Sequence, residues 1–367
     1  MLELIYGNDY VQWDDSTMVL YIFLVLFSIL VGYMFKNNNK RGNIFFFLLF
    51  LVLFIISAFR DIGTDLPVYK SIFEDSRTIY VKDYNNEPGF IFINRIIALF
   101  TSNSDVAIGV FSFLSLFLIY RTIQYYKQEF DIQFCLFAFV GLFYFQSFNL
   151  LRIYFTSYIL CYFFKYMIRG STKKYLVIIA LCTLIHYSAI LMLLPGVFYI
   201  LYTKSHRLFW IGISVIIIFI IVLLPYLEIF NIFDRYSSYL QDSALNFQNN
   251  KFGVAQFLFH SPLYVLYYYS RKRLNNRDVD LLLVYTTFSL LYACLGYKIL
   301  MIGRVSIYYI VIYVIIIPRI LFQLKLNHYK NLKFIKFFII LILLLRIHLY
   351  FVEYLYLDSL MPYKTIF

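Results

Sequence analysis

Charged side chains are scarce in this chain, so those that fall where an apolar run ends are the first candidates for chemistry. The stretch "FRDIGTD" places Arg60, Asp61 and Asp65 around Gly63 directly after "NIFFFLLFLVLFIIS", and Tyr69 follows a turn later. Further on come Glu87 ahead of Pro88 and Gly89, Arg95 in "EPGFIFINRII", Arg152 in "LRIYFTSYIL", His186 in "CTLIHYSAI" and Arg304 in "GRVSIYYI". Arginine's planar fork pairs two oxygens of one anion and stays charged where water is scarce, so Arg60, Arg152 and Arg304, with Arg95 beside them, are candidates to grip an anionic group. An arginine at a helix end also serves as an interface anchor. His186 is the first candidate for accepting a proton, because imidazole titrates close to neutrality, and Glu87 is the rival base. A lone histidine in an apolar helix also serves simply to hydrogen-bond a neighbour. Asp61 and Asp65 are two carboxylates on a loop, too few to imply a metal, and no cofactor is expected. With no GxSxG and no companion serine nucleophile, a hydrolase triad has no support.

The elements that must position these residues follow from composition. Hydrophobic residues make up 62% of the 367, aromatics 22% and charged residues 14%, and the mean hydropathy is +0.75. Such a chain cannot fold around one water-exposed surface; it reads as an all-α polytopic integral membrane protein. Runs such as "WIGISVIIIFIIVLLP" do not alternate as barrel strands would. Cys135, Cys161, Cys182 and Cys294 lie inside apolar spans without CxxC spacing and read as small core residues. The acidic, polar beginning "LELIYGNDYVQWDDS" lacks the basic region of a cleavable signal.

Short basic loops set the topology, since Lys and Arg gather on the cytoplasmic side. "KNNNKR", the stretch holding Arg121 and Lys127, "RGSTKK", "TKSHR", "RKRLNNR" and "KLNHYKNLKFIK" all fall inside if the N-terminus is outside. The spans are then 17–35, 43–59, 105–120, 131–147, 153–168, a bent pair within 175–202 broken at Pro195 and Gly196, 208–226, 257–270, 278–297, 303–322 and 334–352. That makes 12 crossings, within a range of 10 to 14. Residues 88–101 read as a re-entrant or interfacial helix or as a further span. Only Glu129, Asp131, Asp278 and Asp280 of the 20 acids then lie inside, against 20 of the 32 basic residues. The net charge of +12 is therefore a topology signal spread over membrane-flanking loops, and nucleic acid is not an expected partner. Two long external loops, 60–104 and 227–256, interrupt what is otherwise a single membrane domain over 1–367. Long loops on a rigid scaffold are where function tends to sit.

"FRDIGTDLPVYKSIF", "EPGFIFINRII", "LRIYFTSYILCYFFKYMIRGSTKKYLVIIALCTLIHYSAILMLLP" and "GRVSIYYIVIYVIIIP" resemble, in that order, the EpsG-type branch of Wzy-like bacterial polysaccharide polymerases. Ile153 and Tyr154 depart from the pattern, which often has a Gln and small residues after the arginine. The resemblance implies an enzyme of the cytoplasmic membrane whose site faces outside. It would join polyprenyl-diphosphate-linked oligosaccharide repeat units into a surface polysaccharide. Membrane lipid and the pathway's chain-length regulator and flippase are its candidate partners. In that reaction Arg60, Arg152, Arg304 and Arg95 would hold the diphosphate, with Asp61 and Tyr69 at the lipid boundary, while His186, Glu87 or Asp65 serves the acceptor hydroxyl. An O-antigen-type ligase and a glycosyltransferase with a lipid-phosphate donor use similar residues, so both stay open. A flippase or other transporter is a further alternative, for which the internal repeat that many transporters carry is missing.

Overall fold

The computed structural model describes residues 14–36, 40–77, 87–223, 259–274, 276–296 and 304–366. Within them the chain is helical and strand-free, with one isolated antiparallel bridge between Arg60 and Thr365. Helices α1 (Asp15–Lys36) and α2 (Lys40–Ala58) pack together and are followed by two short helices, α3 (Leu66–Arg77) and α4 (Pro88–Ala98). Helix α5 is Ser104–Tyr126. Helix α6 (Ile132–Ala138) continues through a π turn, Phe139–Tyr144, and a 3₁₀ turn, Gln146–Phe148, to α7 (Leu151–Phe163). Helix α8 (Thr172–Cys182) leads through a 3₁₀ segment, Tyr187–Met192, into α9 (Leu193–Lys204) and α10 (His206–Leu223). The remainder is α11 (Pro262–Arg271), α12 (Arg277–Gly296), α13 (Ser306–Leu326) and α14 (Leu332–Leu349), which runs on through a π turn, Tyr350–Tyr354. Among the described residues seven helices are long and apolar enough to cross a membrane, and Pro88–Ala98, Ile132–Tyr144 and His206–Phe219 are shorter apolar helices. The protein is thus a polytopic, all-helical membrane protein.

Helix α13 is the axis of the bundle. Its residues are buried without a break from Ser306 to Leu321, as expected of a helix that is apolar all round, and α6, α7, α12 and α14 pack against it. The outer helices keep apolar faces turned away from the protein, such as Val19, Ile22, Phe23 and Leu26 on α1 and Leu208, Ile211 and Val215 on α10. A second, smaller apolar cluster holds α3 and α4 down on α5 and α7. Phe90 stacks on Phe111 at 5.0 Å, Phe111 meets Phe155 edge-on at 5.5 Å, and Leu66, Tyr69 and Ile97 close around them. Helix α4 has 11 residues and so is roughly 16 Å long at about 1.5 Å per residue, too short for a crossing of about 30 Å.

The bend expected at Pro195 and Gly196 lies elsewhere. The chain breaks at Thr183–His186, where His186 is extended (φ −151°, ψ 115°), whereas Pro195 sits in the first turn of α9. A proline there costs no hydrogen bond, because the first four N–H groups of a helix have no partner inside it. The expected loop 227–256 lies outside the described residues.

The two ends of the bundle differ in charge pairing. At one end, the four acids assigned to the basic side are all held by cations: Glu129 and Asp278 by Arg319, Asp131 by Lys336, and Asp280 by Arg271 at 2.7 Å. Gln323 donates to Asp278 at 2.7 Å and accepts from Asn276 at 2.7 Å, which ties α12 to α13. At the other end the C-terminal segment straps across "FRDIGTD". Asp61 N donates to Lys364 O (2.8 Å), Gly63 N to Ser359 O (3.2 Å), Thr64 N to Asp358 O (3.3 Å) and Ile366 N to Phe59 O (3.1 Å). Tyr21 and Tyr363 pin the strap to α1 and α2 through Leu360 O and Ile56 O.

Gly63 makes this crossing possible. Its φ of +114° belongs to glycine, and a Cβ there would lie 2.6 Å from Asn149 Oδ1. Gly63→Ala is expected to destabilise the protein by about 1–3 kcal/mol, seen as a lowered melting temperature in detergent; an unchanged melt would mean the crossing is not constrained there.

Candidate active site

Glu87 stands at the N-cap of α4, ahead of Pro88 in the first turn, and its side chain is 3% exposed. Its two oxygens are taken by residues far away in the chain. Oε2 accepts from Arg152 Nη1 at the start of α7, and Oε1 lies 2.9 Å from Nδ1 of His186, the extended residue at the break after α8. The backbone aligns them: Gly89 N donates to Leu184 O at 2.7 Å. A Cβ on residue 89 would meet the Leu184 carbonyl at 2.8 Å, so a glycine is needed for this approach.

Burial opposes the charge on Glu87. The His186 hydrogen bond and the Arg152 charge outweigh it, and the carboxyl is held down at about 2 against the usual 4.5. A carboxylate so stabilised is a poor proton acceptor. The carboxylate accepts the Nδ1–H of the ring, which directs Nε2 away from Glu87. Arg152 and His186 keep side-chain exposures of 18% and 17%, so the triad is not sealed. The Arg152 guanidinium lies over the rings of Phe90 (5.6 Å) and Tyr69 (5.8 Å), which fixes its plane from the α3–α4 side.

Asp65 and Arg304 join the same end. Burial pushes the Asp65 carboxyl up, while the charges of Arg304 and Arg152 pull against it. Asp358, on the strap, is likewise pushed up by burial and acted on by Arg304 and Asp65. Among the described residues no carboxylate lies within ion-pair distance of Arg304, although its charge acts on both Asp65 and Asp358.

The remaining candidates stand apart. Arg60 is 2% exposed and turns into the bundle, where it donates to Ser57 O, to Ser112 Oγ (3.3 Å) and to Phe148 O (3.2 Å), with its guanidinium 4.7 Å from the Phe148 ring centre. Asp61 turns the other way, to Lys70 at 3.2 Å, which also pairs with Asp105 at 2.7 Å. Successive residues of an extended segment face opposite sides, and this segment is extended because it is bridged to Thr365. Arg60 makes no ion pair with Asp61 or Asp65. Arg95 is exposed on α4.

Three polar residues at this end were not singled out from the sequence. Ser188 and Tyr308 share a hydrogen bond of 3.1 Å that ties the segment after His186 to α13. Both fall inside the quoted stretches "CTLIHYSAI" and "GRVSIYYI". Asp358 carried no signal beyond being one of few acids near the C-terminus. Among the described residues there is no group of three or more His, Cys, Asp or Glu side chains that could hold a metal ion.

A family model described as the EpsG family matches residues 43–365, a stretch that holds every residue of the site. No curated protein and no solved structure matches the chain.

Because the Glu87 carboxyl is depressed in the folded protein, its contribution to stability is present above about pH 4.5 and is lost as the pH falls towards 2. Wild-type protein in detergent should therefore lose melting temperature more steeply over that window than Glu87→Gln, which is already destabilised by leaving Arg152 unpaired and keeps only the loss from the other ion-paired acids. Parallel curves would mean that Glu87 is not held as an ion.

Proposed function

On the premise that this chain belongs to the EpsG family, we propose that it joins polyprenyl-diphosphate-linked oligosaccharide repeat units into a surface polysaccharide. One observation carries the reading: a single buried carboxylate joins a cation, Arg152, to a base, His186, at one end of an apolar helical bundle. A lipid-linked diphosphate sugar requires that combination, since its tail needs an apolar bundle, its leaving group a cation and its acceptor hydroxyl a base.

In the proposed reaction the acceptor sugar hydroxyl attacks the anomeric carbon of the donor. Its proton passes to His186 Nε2, the glycosidic bond forms, and the bond to the diphosphate breaks, leaving with the diphosphate both electrons of that bond. Arg152 and Arg304 take up the developing negative charge through paired hydrogen bonds, and no metal is called for. Glu87 is assigned the orienting role rather than that of base. Asp65, within reach of the Arg304 and Arg152 charges, is assigned to the sugar side. Tyr69, whose ring faces the Arg152 guanidinium, is assigned to the frame around the diphosphate, and Arg60 and Asp61, which stand apart from the triad, are given no part in it, nor is Arg95. The topology that goes with this reading has 12 crossings in the bacterial cytoplasmic membrane, the paired acids inside and the triad outside, where a flippase delivers substrate and a chain-length regulator acts.

The test uses purified protein in lipid nanodiscs with lipid-linked repeat units extracted from cells lacking it, and no nucleotide sugar. Products lengthening by whole repeat units support the polymerase. Transfer only to a foreign lipid core would make it a ligase, and movement across a vesicle without new bonds a transporter. His186→Gln is expected to lower elongation by about 10²- to 10⁴-fold at normal protein levels. Arg304→Lys should impair it nearly as much as Arg304→Ala, because a point charge does not replace a fork.

A further inference from the structure

Arg60 has no part in the triad, and its own surroundings leave its charge unanswered. The guanidinium donates to two carbonyls, Ser57 O and Phe148 O (3.2 Å), and to the Ser112 hydroxyl (3.3 Å), all of them neutral acceptors. Among the described residues no carboxylate lies within ion-pair distance of it, and its Nε–H has no hydrogen-bond partner. Asp61, the next residue, is held by Lys70 at 3.2 Å. A cation that is 2% exposed calls for a counter-charge, because an unpaired buried ion strongly opposes folding. The Phe148 ring, 4.7 Å from the guanidinium, supplies only part of one.

A small cavity of about 20 Å³, the space of one water-sized or monatomic group, adjoins this charge. Arg60 and all three of its partners form the wall together with Ser115 and Ser147, and no acid lines it. The Ser57 and Ser147 hydroxyls donate to carbonyls of their own turns, Phe54 O and Tyr144 O, whereas the Ser115 hydroxyl has no partner among the described residues. Leu151, the first residue of α7, also lines the cavity, so the positive end of that helix dipole stands at the wall. A water would satisfy the Nε–H and leave the charge as it is; a small anion answers both. A tetrahedral oxyanion such as sulfate is too large for the space. We propose that this cavity is a binding site for a monatomic anion of the size of chloride, held by the Arg60 Nε–H and the Ser115 hydroxyl. The bound ion neutralises Arg60 and so ties the segment after α2 to α5 and to the turn before α7. The site stands apart from the polymerase reading and does not rest on it.

The experiment uses the full-length protein in nanodiscs and chloride as the probe, with gluconate holding the ionic strength constant. Two quantities are read as chloride rises: the chloride NMR linewidth, which broadens when the ion exchanges on and off a protein site, and the melting temperature, which rises when a ligand binds only the folded state. Wild-type protein should give saturable broadening that bromide removes and sulfate does not, together with a chloride-dependent rise in melting temperature. Arg60→Gln removes the charge, while Ser115→Leu fills the cavity and leaves Arg60 its three partners. Each should weaken chloride binding by about 10-fold or more, the loss of a hydrogen bond to a charged group, and abolish the melting response. If Arg60→Gln does not fold, Ser115→Leu decides. Wild-type protein with neither saturable broadening nor a chloride-dependent melt overturns the site. So does sulfate that competes as well as bromide, which would mean that chloride only screens surface charge. A Ser115→Leu variant that keeps the wild-type response overturns it too, since the ion would then sit elsewhere.

Discussion

A carboxylate buried in an apolar protein must be paired, and at Glu87 that requirement organises the whole end of the bundle. Leaving such a charge uncompensated costs several kcal/mol, so Arg152 and His186 have to reach it from α7 and from the break after α8. Those contacts require α4 to start where it does, with Pro88 in its first turn, and require the close approach of Gly89 to Leu184. They also require a roof that does not move. The aromatic cluster of Phe90, Phe111 and Phe155 supplies it, and the same Phe90 ring faces the Arg152 guanidinium. Electrostatics, backbone approach and apolar packing therefore converge on one pair of oxygens.

The rest of the fold keeps this end in place. The fully buried α13 gives the bundle an axis, and the ion pairs at the opposite end lock α12, α13, α14 and the α5–α6 connection to one another. Without those pairs the acids Asp131 and Asp278 would be buried charges in their own right. The strap closes the remaining gap by covering the extended segment after α2, whose backbone groups would otherwise lack partners.

Much of this was legible in the residues. Apolar runs located the long helices, and the segregation of Glu129, Asp131, Asp278 and Asp280 from the other acids matches the end where all four are paired. Glu87 and His186 stand out as rival bases because each is a polar residue in an apolar setting, and the structure places them 2.9 Å apart. Their partnership was not legible, since 99 residues separate them and only the fold brings them together. The inward turn of Arg60 depends on a bridge to Thr365, some 300 residues on, which local pattern cannot reveal. Proline type alone does not mark the break before His186, because Pro195 sits in the first turn of α9, where it costs no hydrogen bond.

The central claim is that Glu87 acts through His186, and a double-mutant cycle on elongation tests it most directly. Turnover is measured in nanodiscs for wild type, Glu87→Gln, His186→Gln and the double variant, each at matched protein levels. If Glu87 serves to orient His186, the double variant will be no slower than His186→Gln alone, because the carboxylate has nothing left to position. Losses that multiply, leaving the double variant slower than His186→Gln by the full factor of Glu87→Gln, would contradict the account and make the two residues independent.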